Sequence, residues 1–387
     1  MKTPTLAALA LALAAAPAAA QQGESGAFVV RLGRDTVAVE QFTRTATSLT
    51  GTLVTRAPRT TVRTYTAQLR PDGTISRFEM TTRVPSAPEL LPQTSTVSTG
   101  GDSVDVRIVR GDTNREMRVA APAEAFPHVG NSWALNEALL RWARARGGDS
   151  VAVPIVQPGA RAAGAISFMP HGADSVLVRL APGVTRVRVD AQGRVLGGSS
   201  PASTFKAEVE RVGSLDATAL AADFARRDQA GQGIGTLSPR DSVVGRIGGA
   251  DVSVAYGRPS MRGRRIVGQV VPYGQVWRTG ANEATHFRTD RDLMFGDARV
   301  PAGSYTLWSV PGPEGWTIIF NRQTGQWGTV YDPAQDLARI PAQSRSTSGP
   351  PVEQMTLSIE PDECGGGGVL AMEWENTRVQ APFTVAP

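Results

Sequence analysis

The sequence predicts a mainly β protein in two parts: an antiparallel, β-rich N-terminal domain with one or two helices, then a C-terminal β-sandwich. Three observations lead there. Short alternating runs bounded by Gly, Pro, Asp and Asn recur through most of the 387 residues, whereas helical periodicity is confined to two segments. The composition also changes near residue 235, and five of seven tryptophans and four of five tyrosines lie beyond residue 240. Finally, roughly 365 residues remain once a leader is removed, too many for a single hydrophobic core.

The elements follow in chain order. Lys2 precedes an apolar run from Leu6 to Ala16 and then Ala18, Ala19 and Ala20 before Gln21, which is the pattern of a secretory signal peptide over residues 1–20 cleaved near Ala20. The run is shorter than the ~20 residues that span a bilayer, and no later segment reaches that length without charge. The expectation is therefore an exported protein, periplasmic or extracellular, with no transmembrane segment. Residues 21–228 form the N-terminal domain. There Val62 to Leu69 and Thr74 to Thr82 alternate on either side of Pro71-Asp72-Gly73, a hairpin signature. Ser175 to Leu180, Thr185 to Val189 and Arg194 to Leu196 repeat that grammar, the last two around Asp190-Ala-Gln-Gly193. Trp133 to Arg146 predicts a helix capped by Ser132 and stopped by Gly147, with Leu135, Leu139 and Trp142 on the face that packs on the sheet. A second helix is expected from Leu215 to Arg227 with Ser214 as its cap. Residues 229–240, opening with the polar stretch Gln229 to Gly235, form the linker.

Residues 241–387 make the second domain. Val252, Val254 and Tyr256 share one face of a strand; Thr285, Phe287 and Thr289 share one face of another, with His286 and Arg288 opposite. Tyr305 to Val310 and Trp316 to Asn321 flank the turn Pro311 to Gly315, and Leu370, Met372 and Trp374 alternate with Ala371, Glu373 and Glu375. Many short strands joined by turns indicate a sandwich or barrel.

Composition narrows the function classes. With 41% hydrophobic and 19% charged residues the chain is globular. The formal charge of +5 is nearly all arginine, Lys2 and Lys206 being the only lysines, and it is spread along the chain, which argues against a nucleic-acid partner. The single cysteine, Cys364, has no intramolecular partner, and the neighbouring Asp362 and Glu363 disfavour its thiolate. The three histidines are scattered, so no metal site is expected, and no cofactor motif, nucleophile elbow or phosphate loop occurs.

Alternation stops between Tyr256 and Thr285. From Gly257 to Asn282 the chain carries Arg258, Arg262, Arg264, Arg265 and Arg278 with no carboxylate, together with Tyr273 and Trp277. A loop of ~26 residues inside a compact domain is uncommon unless it is functional. Tyr256-Gly-Arg-Pro-Ser260, Gly263-Arg264, Val271-Pro-Tyr-Gly274, Val276 through Thr285, Pro301 to Tyr305 and Trp316 to Asn321 together resemble a bacterial family catalogued as domain of unknown function 2911 (DUF2911), over about residues 236–385. The resemblance implies an exported bacterial β domain with no established activity, substrate or cofactor. An insert between Tyr331 and Met355 and the run Gly365 to Gly368 depart from that pattern and are expected to be loops.

Two uses of the loop follow. Arginines offer bidentate donors to a carboxylate, phosphate or sulfate, unless carboxylates from elsewhere in the chain already occupy them. Trp277, Tyr273, Trp308 and Trp327 could form a platform for a sugar ring, although Trp277 is equally a core residue in a sandwich, as Trp316 and Trp374 are expected to be. The ligand-binding candidates are Arg258, Arg264, Tyr273, Trp277, Arg278, Asn282 and Glu283, in a non-catalytic binding protein for an anionic or saccharide ligand or an envelope partner. The alternative is a glycan or ester hydrolase using Glu283 with His286. A pocket bringing Glu283 to His286 or a second carboxylate separates the two. A third reading makes the N-terminal region a barrel or half-barrel carrying apolar ligands, which requires an apolar lumen.

Overall fold

The computed structural model describes residues 23–180, 183–200, 205–362 and 366–386; residues 1–20, expected to be a signal peptide, and Cys364 lie outside them. The chain is mainly β, with two α-helices among the described residues.

The N-terminal sheet begins with β1 (Glu24–Leu32), β2 (Asp35–Arg44), β3 (Ser48–Thr55), β4 (Thr61–Leu69), β5 (Ile75–Arg83), β6 (Gln93–Gly100), β7 (Ser103–Arg110) and β8 (Thr113–Ala120). After β9 (Phe126–Pro127) and α1 (Trp133–Arg146) it returns through β10 (Val151–Val156), β11 (Gly164–Pro170), β12 (Ser175–Leu180), β13 (Gly183–Val189), β14 (Val195–Ser199) and β15 (Glu208–Val212). The fifteen strands run in the order β8 to β1, then β15 back to β9, so β1 joins two meanders by pairing β2 on one side and β15 on the other. Pairing is antiparallel except between β9 and β10. The alternation that predicts these strands is what buries one side: in β4, Tyr65, Ala67 and Leu69 are buried while Thr64, Thr66 and Gln68 face out.

The sheet curls around α1. One apolar cluster joins Val104 and Val119 near one end of the sheet, Ile155 and Phe168 near the other, and Leu135, Leu139 and Trp142 of α1 between them. The helix thus fills the concave side, where the half-barrel reading needed a lumen. Its N-terminus is fixed from outside. Glu40, buried on β2, accepts hydrogen bonds from Trp133 N (2.7 Å), Ala134 N (2.8 Å), Tyr65 Oη (2.8 Å) and Ser132 Oγ (2.5 Å), while Ser132 caps Leu135 N. A carboxylate at a helix N-terminus meets unpaired N–H groups and the positive end of the macrodipole. The other end of the stripe is held by a ring of charges: Arg141 and Arg211 each bridge Glu24 and the buried Glu137.

The second helix, α2 (Ala217–Gln229), packs Ala217, Ala221 and Phe224 on the opposite face of β2 and β3. It starts two residues later than the sequence suggests. Asp216, not Ser214, is the cap and accepts from Ala219 N, while Leu215 is drawn against the apolar cluster beneath the helix.

The C-terminal sheet contains β16 (Arg240–Ile247), β17 (Ala250–Gly257), β18 (Thr285–Thr289), β19 (Leu293–Phe295), β20 (Ala298–Val300), β21 (Gly303–Val310), β22 (Trp316–Asn321), β23 (Asp336–Ser346), β24 (Val352–Pro361), β25 (Gly367–Glu375) and β26 (Thr377–Val385). Its path is β16-β17-β18-β21-β22-β23-β26-β19-β20, with β24 and β25 attached through β26. The sheet curls, sandwich-like and nearly closed, over one core in which Phe287, Phe295, Phe320 and Phe383 form a chain of ring contacts 5.0–5.2 Å apart. The segments expected to be loops are strand in part: Asp336–Ser346 and Val352 onward in the first, and Gly367 with Gly368 in the second, while residues 347–351 remain a loop and Gly365 lies outside the described residues. In β23, Ile340 and Ala342 turn inward between β22 and β26, and Gly367 and Gly368 pair with β26. Their Ser, Pro, Arg and Gly content hid an alternation of only two apolar positions.

Candidate functional site: an aromatic cleft between the two sheets

The segment between β17 and β18 has no strand of its own and is held by groups elsewhere in the chain. Glu375 accepts from Ile266 N (3.1 Å) and Val267 N (3.2 Å), Glu353 from Arg262 N (2.8 Å), and Ile266, Val270, Val271 and Trp277 are buried in the C-terminal core. Docking on the N-terminal sheet is equally tight. Arg34 N donates to Arg262 O (2.8 Å), and Gly33 (φ +60°) comes so close that an added Cβ would sit 2.1 Å from that oxygen.

Most of the arginines are engaged by the fold itself. Arg258 bonds Asp241, Met355 O and Thr356 Oγ1, tying the loop to β16 and β24. Arg262, buried, pairs with Asp35 at 2.5 Å and donates to Ile234 O. Arg264 spans Met261 O, Ser260 O and Phe205 O (2.9, 2.7 and 3.0 Å). Arg278 donates to Gly280 O and Asn282 O. Burial lowers the pKa of both Arg264 and Arg278, and for Arg264 the neighbouring Arg262 adds to the effect.

Trp277 is 5% exposed, stacked on Trp374 (5.9 Å, 20°) and edge-on to Trp316 (6.3 Å, 75°), with Nε1 unpartnered. It is a core residue that also forms a wall. Arg264, Trp277, Arg278 and Asn282 line one cleft of about 540 Å³, with Trp308, Trp327 and Tyr331 from the β21 to β23 region and Phe205 from the N-terminal side. Trp327 is 45% exposed; Trp308 is buried with its ring 4.9 Å from that of Tyr331. The Tyr331 hydroxyl, half-buried and donating to Asp336 at 2.7 Å, has its pKa pushed up to about 12 by burial first and the Asp336 carboxylate second. The Trp327 loop is laced to the candidate segment through Gly328 N to Asn282 O (3.0 Å) and a bridge between Glu283 and Trp327.

Arg258, Tyr273 and Glu283 do not line this cleft. Tyr273 is exposed against Gly268. Glu283, exposed, forms an ion pair with Arg240 at 2.6 Å. His286 accepts at Nε2 from Gly325 N (3.0 Å), which makes Nδ1 the protonated nitrogen of the neutral ring. Glu283 and His286 share no hydrogen bond among the described residues, and neither borders the cleft. Sequence reasoning missed Tyr331 and Phe205: the first borders a segment read as loop, and the second sits in the turn before β15, remote in the chain. Among the described residues no group of three or more His, Cys, Asp or Glu is arranged to hold a metal, and no helix is long and apolar enough to cross a membrane.

Residues 238–383 match the family model described as protein of unknown function (DUF2911). The matched residues span the C-terminal sheet and the candidate segment, and the N-terminal sheet carries no family match. No curated protein matches the chain. Among solved structures, a DUF1089 family protein from Pseudomonas aeruginosa aligns at 13% identity and a TM-score of 0.30, over 42% of this chain and 90% of that one. The isotype 1 transferrin binding protein B from serogroup B Neisseria meningitidis aligns at 9% identity and a TM-score of 0.14, over 91% of this chain and 66% of that one. Similarity this low bears on neither fold nor function.

Proposed function

We propose that this is an exported two-domain binding protein without catalytic chemistry, and that the aromatic cleft holds a saccharide. The observation that carries the reading is the convergence of Trp277, Trp308, Trp327 and Tyr331 with Asn282 on one cleft of about 540 Å³. A sugar ring presents C–H faces to aromatic rings and hydroxyls to polar neighbours. The arginines favour a saccharide over an anion, because Arg264 spends its donors on three carbonyls and Arg278 donates to two. Catalysis by Glu283 and His286 finds no support in their geometry.

Glycan-array binding, followed by calorimetry on the best oligosaccharide, tests this. Trp327, exposed at the mouth, can be truncated without opening the core. Trp327→Ala is expected to weaken binding about tenfold or more, roughly 1.4 kcal/mol. Unchanged affinity in a folded Trp327→Ala protein, or turnover of the bound glycan that Glu283→Gln abolishes, would overturn the reading.

A further inference from the structure

A second cleft, of about 840 Å³, opens on the other side of the 258–265 segment, between that segment, α2 and the outer face of β1 and β2. Ser260 lines both clefts, Arg262 the second and Arg264 the first. The second differs in charge: five arginines against three carboxylates border it. Three cations are matched, Arg262 by Asp35 (2.5 Å), Arg227 by Asp223 (2.9 Å) and Arg34 by Glu353 (3.8 Å). Arg31 and Arg56 have no ion-pair partner among the described residues.

These two arginines are brought together by the sheet. Arg31 on β1 lies opposite Thr36 on β2, past a bulge that leaves Val37 unpaired between Thr36 and Ala38. Arg56, just beyond β3, bonds Val37 O through its backbone and Thr36 O through Nη1 (3.0 Å). They therefore flank Thr36 from both neighbouring strands, with backbones roughly 10 Å apart, a gap that two arginine side chains close easily. Arg31 is exposed and makes no hydrogen bond through its side chain among the described residues. Arg56 is 7% exposed, held with its guanidinium 4.3 Å over the Phe224 ring, and its Nη2 has no partner among the described residues. A fixed, largely desolvated guanidinium beside a free one is a setting in which an oxyanion gains more than at an ordinary surface. Val29, Leu215, Leu220 and Phe224 supply an apolar wall beside them.

We propose that this cleft binds a small organic dianion that carries an apolar group, with the oxyanion head between Arg31 and Arg56 and the apolar part against Leu215 and Leu220. The excess of positive charge in the lining, five arginines against three carboxylates, sets the charge of the ligand, and the wall sets its other half. The test is calorimetry on the full chain at low salt with three probes: phenyl phosphate, inorganic phosphate and benzyl alcohol. Phenyl phosphate is expected to bind most tightly, inorganic phosphate more weakly, and benzyl alcohol not measurably. Arg31→Gln, on an exposed side chain, should weaken phenyl phosphate about tenfold, whereas Arg83→Gln, an exposed position on β5 outside the cleft, should leave it unchanged. Arg56→Gln should act like Arg31→Gln if it folds, and Arg31→Gln decides the matter if it does not. No phenyl phosphate binding at millimolar concentration, equal binding of benzyl alcohol, or an Arg31→Gln affinity equal to that of the parent would overturn the proposal.

Discussion

Replacing Glu40 tests how the N-terminal sheet holds its helix. In Glu40→Ala the acceptors of four hydrogen bonds disappear together. Ser132 Oγ keeps its bond from Leu135 N, but Trp133 N, Ala134 N and Tyr65 Oη lose their partner inside the core. Each buried donor left unpaired costs about 1–3 kcal/mol, and lost compensation of the helix dipole adds up to about 1 kcal/mol. Allowing for relaxation, we expect a loss of about 4 kcal/mol at pH 7, a large part of the 5–15 kcal/mol typical of a domain. Glu40→Gln should cost less, about 1–2 kcal/mol, because its amide oxygen can still face the two backbone N–H groups while its NH2 meets hydroxyls able to accept. Urea unfolding followed by the fluorescence of Trp133 and Trp142 on α1 measures both. The two variants also separate in pH. Burial raises the Glu40 pKa above its ordinary value near 4.5 despite the four donors. The part of its contribution that comes from this raised pKa is therefore complete below the unfolded pKa and is lost as pH rises through the folded one. The advantage of the parent over Glu40→Gln should shrink from pH 4.5 upward. An Ala variant within 1 kcal/mol of the parent, or an advantage that grows with pH, refutes the reasoning.

Two further predictions concern the junction. Gly328→Ala would put a Cβ 2.3 Å from Arg278 Cδ and 2.7 Å from Asn282 O, so backbone as well as side chain must shift; we expect a folded protein with at least about tenfold weaker glycan binding, read by calorimetry. Arg262→Gln breaks the pair with Asp35, itself partly exposed, and should cost about 1–3 kcal/mol. It should also speed proteolytic cleavage between residues 230 and 239, whereas a cleavage rate equal to that of the parent would mean that the contact does not hold the sheets together.

The two signals legible in the chain are local ones. Period-two alternation marks β4, β5, β17, β18 and β22, and Ser132 with Gly147 marks both ends of α1, because a strand or helix end is decided by neighbours within a few residues. The same locality explains the misreadings. Ile340 and Ala342 are too few to reveal β23 among Ser, Pro and Arg, and Asp216 outcompetes Ser214 as a cap by geometry rather than type. For the candidate segment, sequence marked an arginine- and tryptophan-rich loop but could not say which of its residues meet.

That was decided by tertiary structure, since the partners are remote in the chain. Arg262 finds Asp35 more than two hundred residues away, Trp277 is held between Trp316 and Trp374, and Glu283 is turned outward to Arg240. The sequence by itself determined a mainly β chain, both ends of α1 and the segment where alternation fails, all consequences of backbone periodicity and capping. Only the packing of one sheet on the other decided that the segment splits its arginines between two clefts, one aromatic and one charged, because a side chain's role depends on which remote groups reach it first.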